Sequence, residues 1–165
     1  MARFKILSVI TILLFTTLSL HAQEVKNGLT WYTDINQVYK VSAQAKKPVF
    51  AFFTGSDWCG WCKRLQAAVF SKPEFIAWAK KNVILLELDF PRRTQLPEAQ
   101  ARQNEELRQF FQVQGYPTVW LFNMTKDQSG KYTIAGLGST GYPNAQGGKE
   151  AEVFIANANA ILKNK

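Results

Sequence analysis

The chain has 165 residues, 47% of them hydrophobic and 19% charged, with a net charge of +8. That length suits a single domain with a real core, and neither a repeat nor a disordered tract interrupts it. Its Lys and Arg residues are scattered in doublets such as Lys46-Lys47, Lys80-Lys81 and Arg92-Arg93 rather than clustered, which argues against a nucleic-acid partner.

The first element is a leader. Met1-Ala-Arg-Phe-Lys5 is basic, Ile6–Leu20 is apolar but too short for a comfortable membrane span, and His21-Ala22 precedes the polar Gln23. This order predicts a signal peptide over residues 1–22 and a mature domain over residues 23–165, periplasmic or secreted. Leu20, third before the cut, is larger than the residue usual there, and an uncleaved anchor is the alternative. No cysteine follows the apolar run, which excludes lipid attachment at a new N-terminal cysteine. Cleavage removes Arg3, Lys5 and the only histidine, His21, so the net charge falls to +6 and the mature chain has no imidazole.

Leu29–Thr33 reads as a short strand. Asp34 is placed to cap a helix whose apolar face is Ile35, Val38 and Tyr39, ending at Lys47-Pro48. Val49–Phe53 is an unbroken apolar run, the mark of a strand buried on both faces. The stretch "TGSDWCGWCKRL" follows, and from Gly60 the pattern is helical, with Leu65, Ala68 and Val69 on one side. Ser71-Lys-Pro-Glu74 has capping-box spacing and predicts a further helix to Lys81. Val83–Phe90 is a second apolar strand, interrupted by Glu87 and Asp89, and Glu98–Val113 a helix with Leu107, Phe110 and Phe111 inward. Gly115-Tyr-Pro-Thr118 turns into a strand, Thr118–Met124. A hairpin turn and the strand Lys131–Ala135 follow, then a Gly-rich loop, Gly136–Gly148, and a last helix, Glu150–Leu162. The alternation predicts an α/β fold, a central mixed sheet flanked by helices on both faces, with reactive groups at the carboxyl ends of the strands.

The chain has two cysteines, Cys59 and Cys62, just past the strand Val49–Phe53. A zinc site needs four ligands and finds neither a third cysteine nor a mature histidine, so no metal is expected. A structural disulfide across two residues constrains the unfolded chain little. A redox pair suits both the spacing and an oxidising compartment. At the first turn of a helix, Cys59 gains thiolate character from free N–H groups and the helix dipole, and Cys62, one turn deeper, can resolve a mixed disulfide.

"DWCGWCK" after a buried strand, with "GYPT" some fifty residues later, resembles the thioredoxin superfamily. "KKPVFAFFTGSDWCGWCKRL" is similar in particular to secreted bacterial thioredoxin-like proteins with a "TGSDWCGWC" motif. The resemblance spans roughly Leu29 to Leu162. It implies the thioredoxin fold and a thiol–disulfide oxidoreductase, with Cys59 as nucleophile, Cys62 as resolving thiol and no cofactor beyond the pair. It implies a cis Pro117 facing the cysteines, and substrate contacts from Trp61, Tyr116, Pro117 and Thr118, the backbone of Tyr116 pairing with an extended substrate. Trp58 and Gly60 are structural neighbours of the pair, Trp58 packing beneath the motif. The implied partners are protein thiols and disulfides, and an unidentified redox partner that resets the pair. A monomer with no membrane span after cleavage is expected.

The sequence departs from the family in three places. The residues between the cysteines are Gly60-Trp61 instead of Gly-Pro. The buried aspartate usual on the preceding strand falls at Phe52. The Gly136–Gly148 loop is longer than usual and lies where it could shape the substrate surface. Glu87, out of place in a buried strand, is therefore a candidate proton acceptor for Cys62, with a salt bridge to a nearby lysine as the alternative. The missing acid also favours a second reading of the whole chain, a peptide-binding or chaperone-like module with little redox turnover.

Overall fold

A computed structural model of the chain describes residues 23–145 and 147–163. The leader predicted over residues 1–22 lies outside them. Six strands form one sheet in the order β1-β2-β4-β3-β5-β6. They are β1 (Gln23–Lys26), β2 (Leu29–Tyr32), β3 (Val49–Thr54), β4 (Ile84–Asp89), β5 (Thr118–Lys126) and β6 (Tyr132–Thr140). β2, β4 and β3 run parallel, and β5 runs antiparallel to β3, so the mixed sheet has antiparallel pairs at both edges.

Among the described residues five α-helices cover it: α1 (Ile35–Ala45), α2 (Gly60–Leu65), α3 (Pro73–Asn82), α4 (Glu98–Phe110) and α5 (Glu150–Leu162). α2 continues directly into a π-helical turn, Gln66–Phe70, closed by the Ser71 N–H donating to the Gln66 carbonyl at 2.9 Å. α2, this turn, α3 and α5 bury Cys62, Leu65, Phe70, Phe75 and Phe154 against one sheet face; α1 and α4 bury Val38, Leu107 and Phe111 against the other. No helix among the described residues is long and apolar enough to cross a membrane.

β3 is the strand on which the site depends. All six of its residues are buried, because alternate side chains serve opposite cores: Phe50 and Phe52 one, Ala51 and Phe53 the other. Phe70 is the hub on the cysteine side. Its ring lies 4.8–5.7 Å from the rings of Trp31, Phe50, Phe52, Phe75 and Phe154, in tilted, edge-on and stacked arrangements. Such pairs add roughly 0.5–1.5 kcal/mol each beyond area burial. They fasten the end of the α2 segment to β2, β3, α3 and α5.

Four local expectations are corrected. First, Ser71 does not cap α3: its hydroxyl donates back to the Ala67 carbonyl at 2.8 Å, Lys72 occupies the cap position, and Pro73 opens the helix, where its missing N–H costs nothing. Second, Phe110 is 57% exposed while Phe111 is buried; α4 ends at Phe110, and only Phe111 turns inward. Third, the stretch from Gly136 to Thr140 is not loop but the second half of β6. Its glycines are there because aromatic and aliphatic side chains lie on the strand. A Cβ on Gly136 would stand 3.2 Å from the Trp120 ring and one on Gly138 3.1 Å from Ile161. Fourth, β1 precedes the first predicted strand, joined to β2 by Asn27-Gly28, both with positive φ (53° and 71°) as a tight hairpin requires.

Candidate active site

The residues that end β3 and begin α2 form one tight turn. The Gly55 carbonyl accepts from the N–H groups of Trp58 at 3.2 Å and Cys59 at 2.8 Å. Cys59 is the N-cap of α2, and its Sγ accepts the Cys62 N–H at 3.1 Å. Cys59 and Cys62 form a disulfide, with Cα atoms 5.3 Å apart. Cys59 is 5% exposed and Cys62 not at all, so the first residue is the nearer of the two to solvent. Gly60 is open, with no atom near where a Cβ would be.

Two tethers hold this turn, and sequence reasoning missed both. Ser56 donates its backbone N–H and its hydroxyl to the two carboxylate oxygens of Asp89 at the end of β4, at 2.8 and 2.5 Å. The Asp57 carboxylate accepts the N–H groups of Arg92 and Arg93, the shortest contact 2.6 Å. The Ser-Asp of the motif thus binds the loop after β4 across more than thirty residues of sequence. Desolvation opposes the Asp57 charge, but the N–H donors of Arg92, Arg93 and Thr94 outweigh it and hold the carboxyl below the ordinary aspartate value of 3.8.

Trp58 packs beneath the turn. Its indole N–H donates to the Phe90 carbonyl at 2.8 Å, and its ring covers Gly55 so closely that a Cβ there would collide with it. Tyr116 meets Trp58 edge-on, ring centroids 5.8 Å apart, and so borders the motif. Burial pushes the Tyr116 phenol above its ordinary value. The Tyr116–Pro117 peptide bond is cis. The Thr118 hydroxyl donates to the Gly115 carbonyl at 2.7 Å and Thr118 opens β5 opposite Phe53. Trp61 is 56% exposed and lies edge-on to Tyr142, centroids 5.1 Å apart. The shortened loop Gly141–Lys149 therefore does border the site: Tyr142 extends the surface of Trp61, and a Cβ on Gly141 would sit 3.3 Å from the Pro117 carbonyl.

Phe52 is fully buried, with no acid in its place, and its register neighbour on β4 is Glu87. The carboxylate is engaged: Lys26 Nζ lies 2.7 Å from Glu87 Oε2 and 3.0 Å from Glu24. The structure thus supplies the salt bridge that was the alternative to a proton-accepting role. Burial still pushes the Glu87 carboxyl above its ordinary value, Lys26 working against it. Burial lowers Lys26 in turn, but Glu87 and Glu24 outweigh that and raise it. Lys26 comes from β1, the hairpin strand absent from the sequence expectations, which is why the partner was not named in advance. Asp89, the other acid of that strand, accepts the N–H and hydroxyl of Ser56. Among the described residues no cluster of three or more His, Cys, Asp or Glu is arranged to hold a metal ion.

Comparison with known proteins follows the same geometry. Residues 30–123, more than half the chain, match a family model described as thioredoxin-like. The chain is 41% identical over 76 residues to "Disulfide bond reductase DsbH" of Chlamydia pneumoniae, covering 46% of this chain and 46% of that protein. It is 25% identical over 113 residues to "Thioredoxin-related protein DsbJ" of the same organism, covering 68% of this chain and 32% of that one. The chain thus spans less than half the length of these curated relatives. A solved structure titled "DsbH Oxidoreductase" superposes with a TM-score of 0.66 at 30% identity, over 83% of this chain and 86% of that one. A thioredoxin from Thermus thermophilus superposes with a TM-score of 0.54 at 16% identity, over 81% and 87% of the two chains, a likeness of fold.

The Asp57 tether gives a pH-dependent prediction. A carboxyl held below its unfolded value of 3.8 contributes stability that is complete above that value and lost as pH falls through the folded one. The wild type is expected to exceed Asp57→Asn in denaturant midpoint at neutral pH, the difference closing as pH falls below about 4. Parallel urea titrations of the two proteins measure it; a difference constant down to pH 2 contradicts the assignment.

Proposed function

The chain belongs to the thioredoxin-like family, and from that premise we propose that it is an exported thiol–disulfide oxidoreductase that reduces protein disulfides through Cys59 and Cys62. The observation that carries the proposal is the placement of the two cysteines at the start of one helix: Cys59 is its N-cap, 5% exposed, with its Sγ accepting the Cys62 N–H, while Cys62 lies in the first turn with no exposure. The reducing direction is supported by the name of the 41%-identical relative.

In the reduced protein the Cys59 thiolate attacks one sulfur of a partner disulfide. A mixed disulfide forms, and the partner's other sulfur leaves as a thiolate and takes a proton from water. Cys62 gives up its proton and attacks Cys59 Sγ, which releases the partner's second thiol and leaves the Cys59–Cys62 disulfide. Two electrons have passed to the partner. The Cys62 N–H already aimed at Cys59 Sγ is what favours negative charge on that sulfur, together with the start of the continuous helical segment 60–70. Tyr116, which meets Trp58 of the motif, with Pro117 and Thr118 after it and the exposed Trp61, are the residues along which an extended substrate would lie. Glu87 is assigned to the ion pair with Lys26 rather than to proton transfer, because that cation already sits on its carboxylate. The cysteine pair is itself the redox group; a second protein, such as a membrane electron donor, returns it to the dithiol. The working protein is a monomer in the periplasm or outside the cell.

The reduced mature protein is expected to reduce an insulin-type disulfide catalytically, with a pair potential nearer thioredoxin's −270 mV than the −120 mV of a strong oxidant, on roughly the known scale. Cys59→Ser abolishes turnover, and Cys62→Ser accumulates mixed disulfides through Cys59, read on non-reducing gels and by mass spectrometry. Mixed disulfides trapped mainly by Cys59→Ser reverse the roles, and binding without turnover by the wild type supports the peptide-binding reading instead.

Export rests on the basic start, the apolar run and Ala22. The protein purified from its native host is expected to begin at or near Gln23 by intact-mass measurement. A full-length product in the cytoplasm contradicts it.

A further inference from the structure

Four exposed cations lie in or beside the segments that carry the cysteine motif: Lys63 and Arg64 in α2, and Arg92 and Arg93 in the loop after β4 that Asp57 holds. Among the described residues none of them forms an ion pair. The acids nearest to them in the motif are spent elsewhere, Asp57 on the backbone of the β4 loop and Asp89 on Ser56. These two carboxylates keep their charge and offset part of the positive charge, leaving four cations against two acids around the motif, a net positive rim.

Two of these cations are held in place. The Arg92 guanidinium lies 3.8 Å from the Trp58 ring centroid, and that of Arg64 lies 5.3 Å from the Trp61 centroid. An indole face attracts a guanidinium and restrains it, yet leaves its N–H donors free along the edge, in the fork geometry that suits a carboxylate. The two tryptophans that flank the cysteine motif thus each carry one arginine. Between them the exposed face of Trp61, extended by Tyr142, is apolar.

Building on the thiol–disulfide reading, we infer that this rim selects protein partners whose reacting cysteine is flanked by acidic residues. The partner's carboxylates pair with Arg64 and Arg92, and an apolar residue between them rests on Trp61 and Tyr142. The exchange itself is unchanged, two electrons passing from the dithiol to the partner disulfide. What the rim adds is a faster and better-oriented encounter, since complementary charge around a reactive centre raises association rates by about 10- to 1,000-fold at low ionic strength.

The test uses three synthetic disulfide peptides of equal length, flanked by Asp and Glu, by Ser and Gln, or by Lys and Arg. Each rate of reduction by the reduced mature protein is divided by the rate of the same protein with hydroxyethyl disulfide, a small neutral substrate. The acidic peptide is expected to react at least about tenfold faster than the basic one at low salt, the gap closing toward ~1 M salt. The double variant Arg64→Gln, Arg92→Gln is expected to lose most of the preference, and Arg64→Glu, Arg92→Glu to invert it. Lys40→Glu, Arg102→Glu, which makes the same change of net charge on α1 and α4 across the sheet, keeps it. Equal normalised rates for acidic and basic peptides overturn the inference and leave the oxidoreductase reading standing. So does a preference that survives loss of both arginines, or one that the Lys40 and Arg102 changes abolish equally. A protein inert even toward hydroxyethyl disulfide overturns the oxidoreductase reading, and this inference with it.

Discussion

The contact on which the structure turns is the Cys62 N–H directed at Cys59 Sγ, 3.1 Å away, at the first turn of α2. A helix start has backbone donors with no internal partner, and placing a sulfur there sets its charge as well as its position. That contact exists only if the turn between β3 and α2 is fixed. Gly55 fixes it by leaving room for the Trp58 indole and by offering its carbonyl to two N–H groups. Ser56 and Asp57 fix it from outside, through Asp89 and the N–H groups of Arg92 and Arg93. Ordering a loop costs conformational entropy of about 1–2 kcal/mol per residue, and these tethers offset part of that.

The same logic reaches into the core. The helical segment behind the disulfide ends in Phe70, and five aromatic rings from four other elements close around that side chain. The segment passes through a π-helical turn before Phe70, so the ring is delivered one residue later than a regular helix would deliver it. Phe52 takes part in this cluster at the position where the family usually has an acid. The aromatic packing and the absent carboxylate are therefore one feature. Of the two acids that alternation puts on that side of β4, Glu87 is paired by Lys26 from the edge hairpin and Asp89 accepts from Ser56.

The sheet and the cysteine helix were legible because their signals are local and redundant. Val49–Phe53 is apolar at every position and is buried at every position; the helix Glu150–Leu162 has the predicted bounds; Asp34 caps α1 through the Asn36 and Gln37 N–H groups. What failed did so for physical reasons. Glycine usually marks a turn, but Gly136 and Gly138 lie in a strand, where the missing Cβ admits Trp120 and Ile161. β1 has four residues, all but Lys26 exposed, and so carries no hydrophobic run; its one signal was the Asn27-Gly28 pair. Without β1 the partner of Glu87 was invisible. The tethers of Ser56 and Asp57 join residues more than thirty positions apart, and no periodicity encodes them. Tyr142 sits in a stretch read as loop, and only the fold brings it onto Trp61.

The measurement that tests the account most directly is the pH dependence of alkylation in the reduced protein, with mass spectrometry identifying which thiol reacts. A sulfur that caps a helix and accepts a backbone N–H should ionise well below the free-cysteine value of about 8.5. The account predicts that Cys59 is alkylated first, with an apparent pKa at least about one unit below that value, while Cys62 stays protected until the protein unfolds. An ordinary or elevated pKa at Cys59, or prior modification of Cys62, would contradict it.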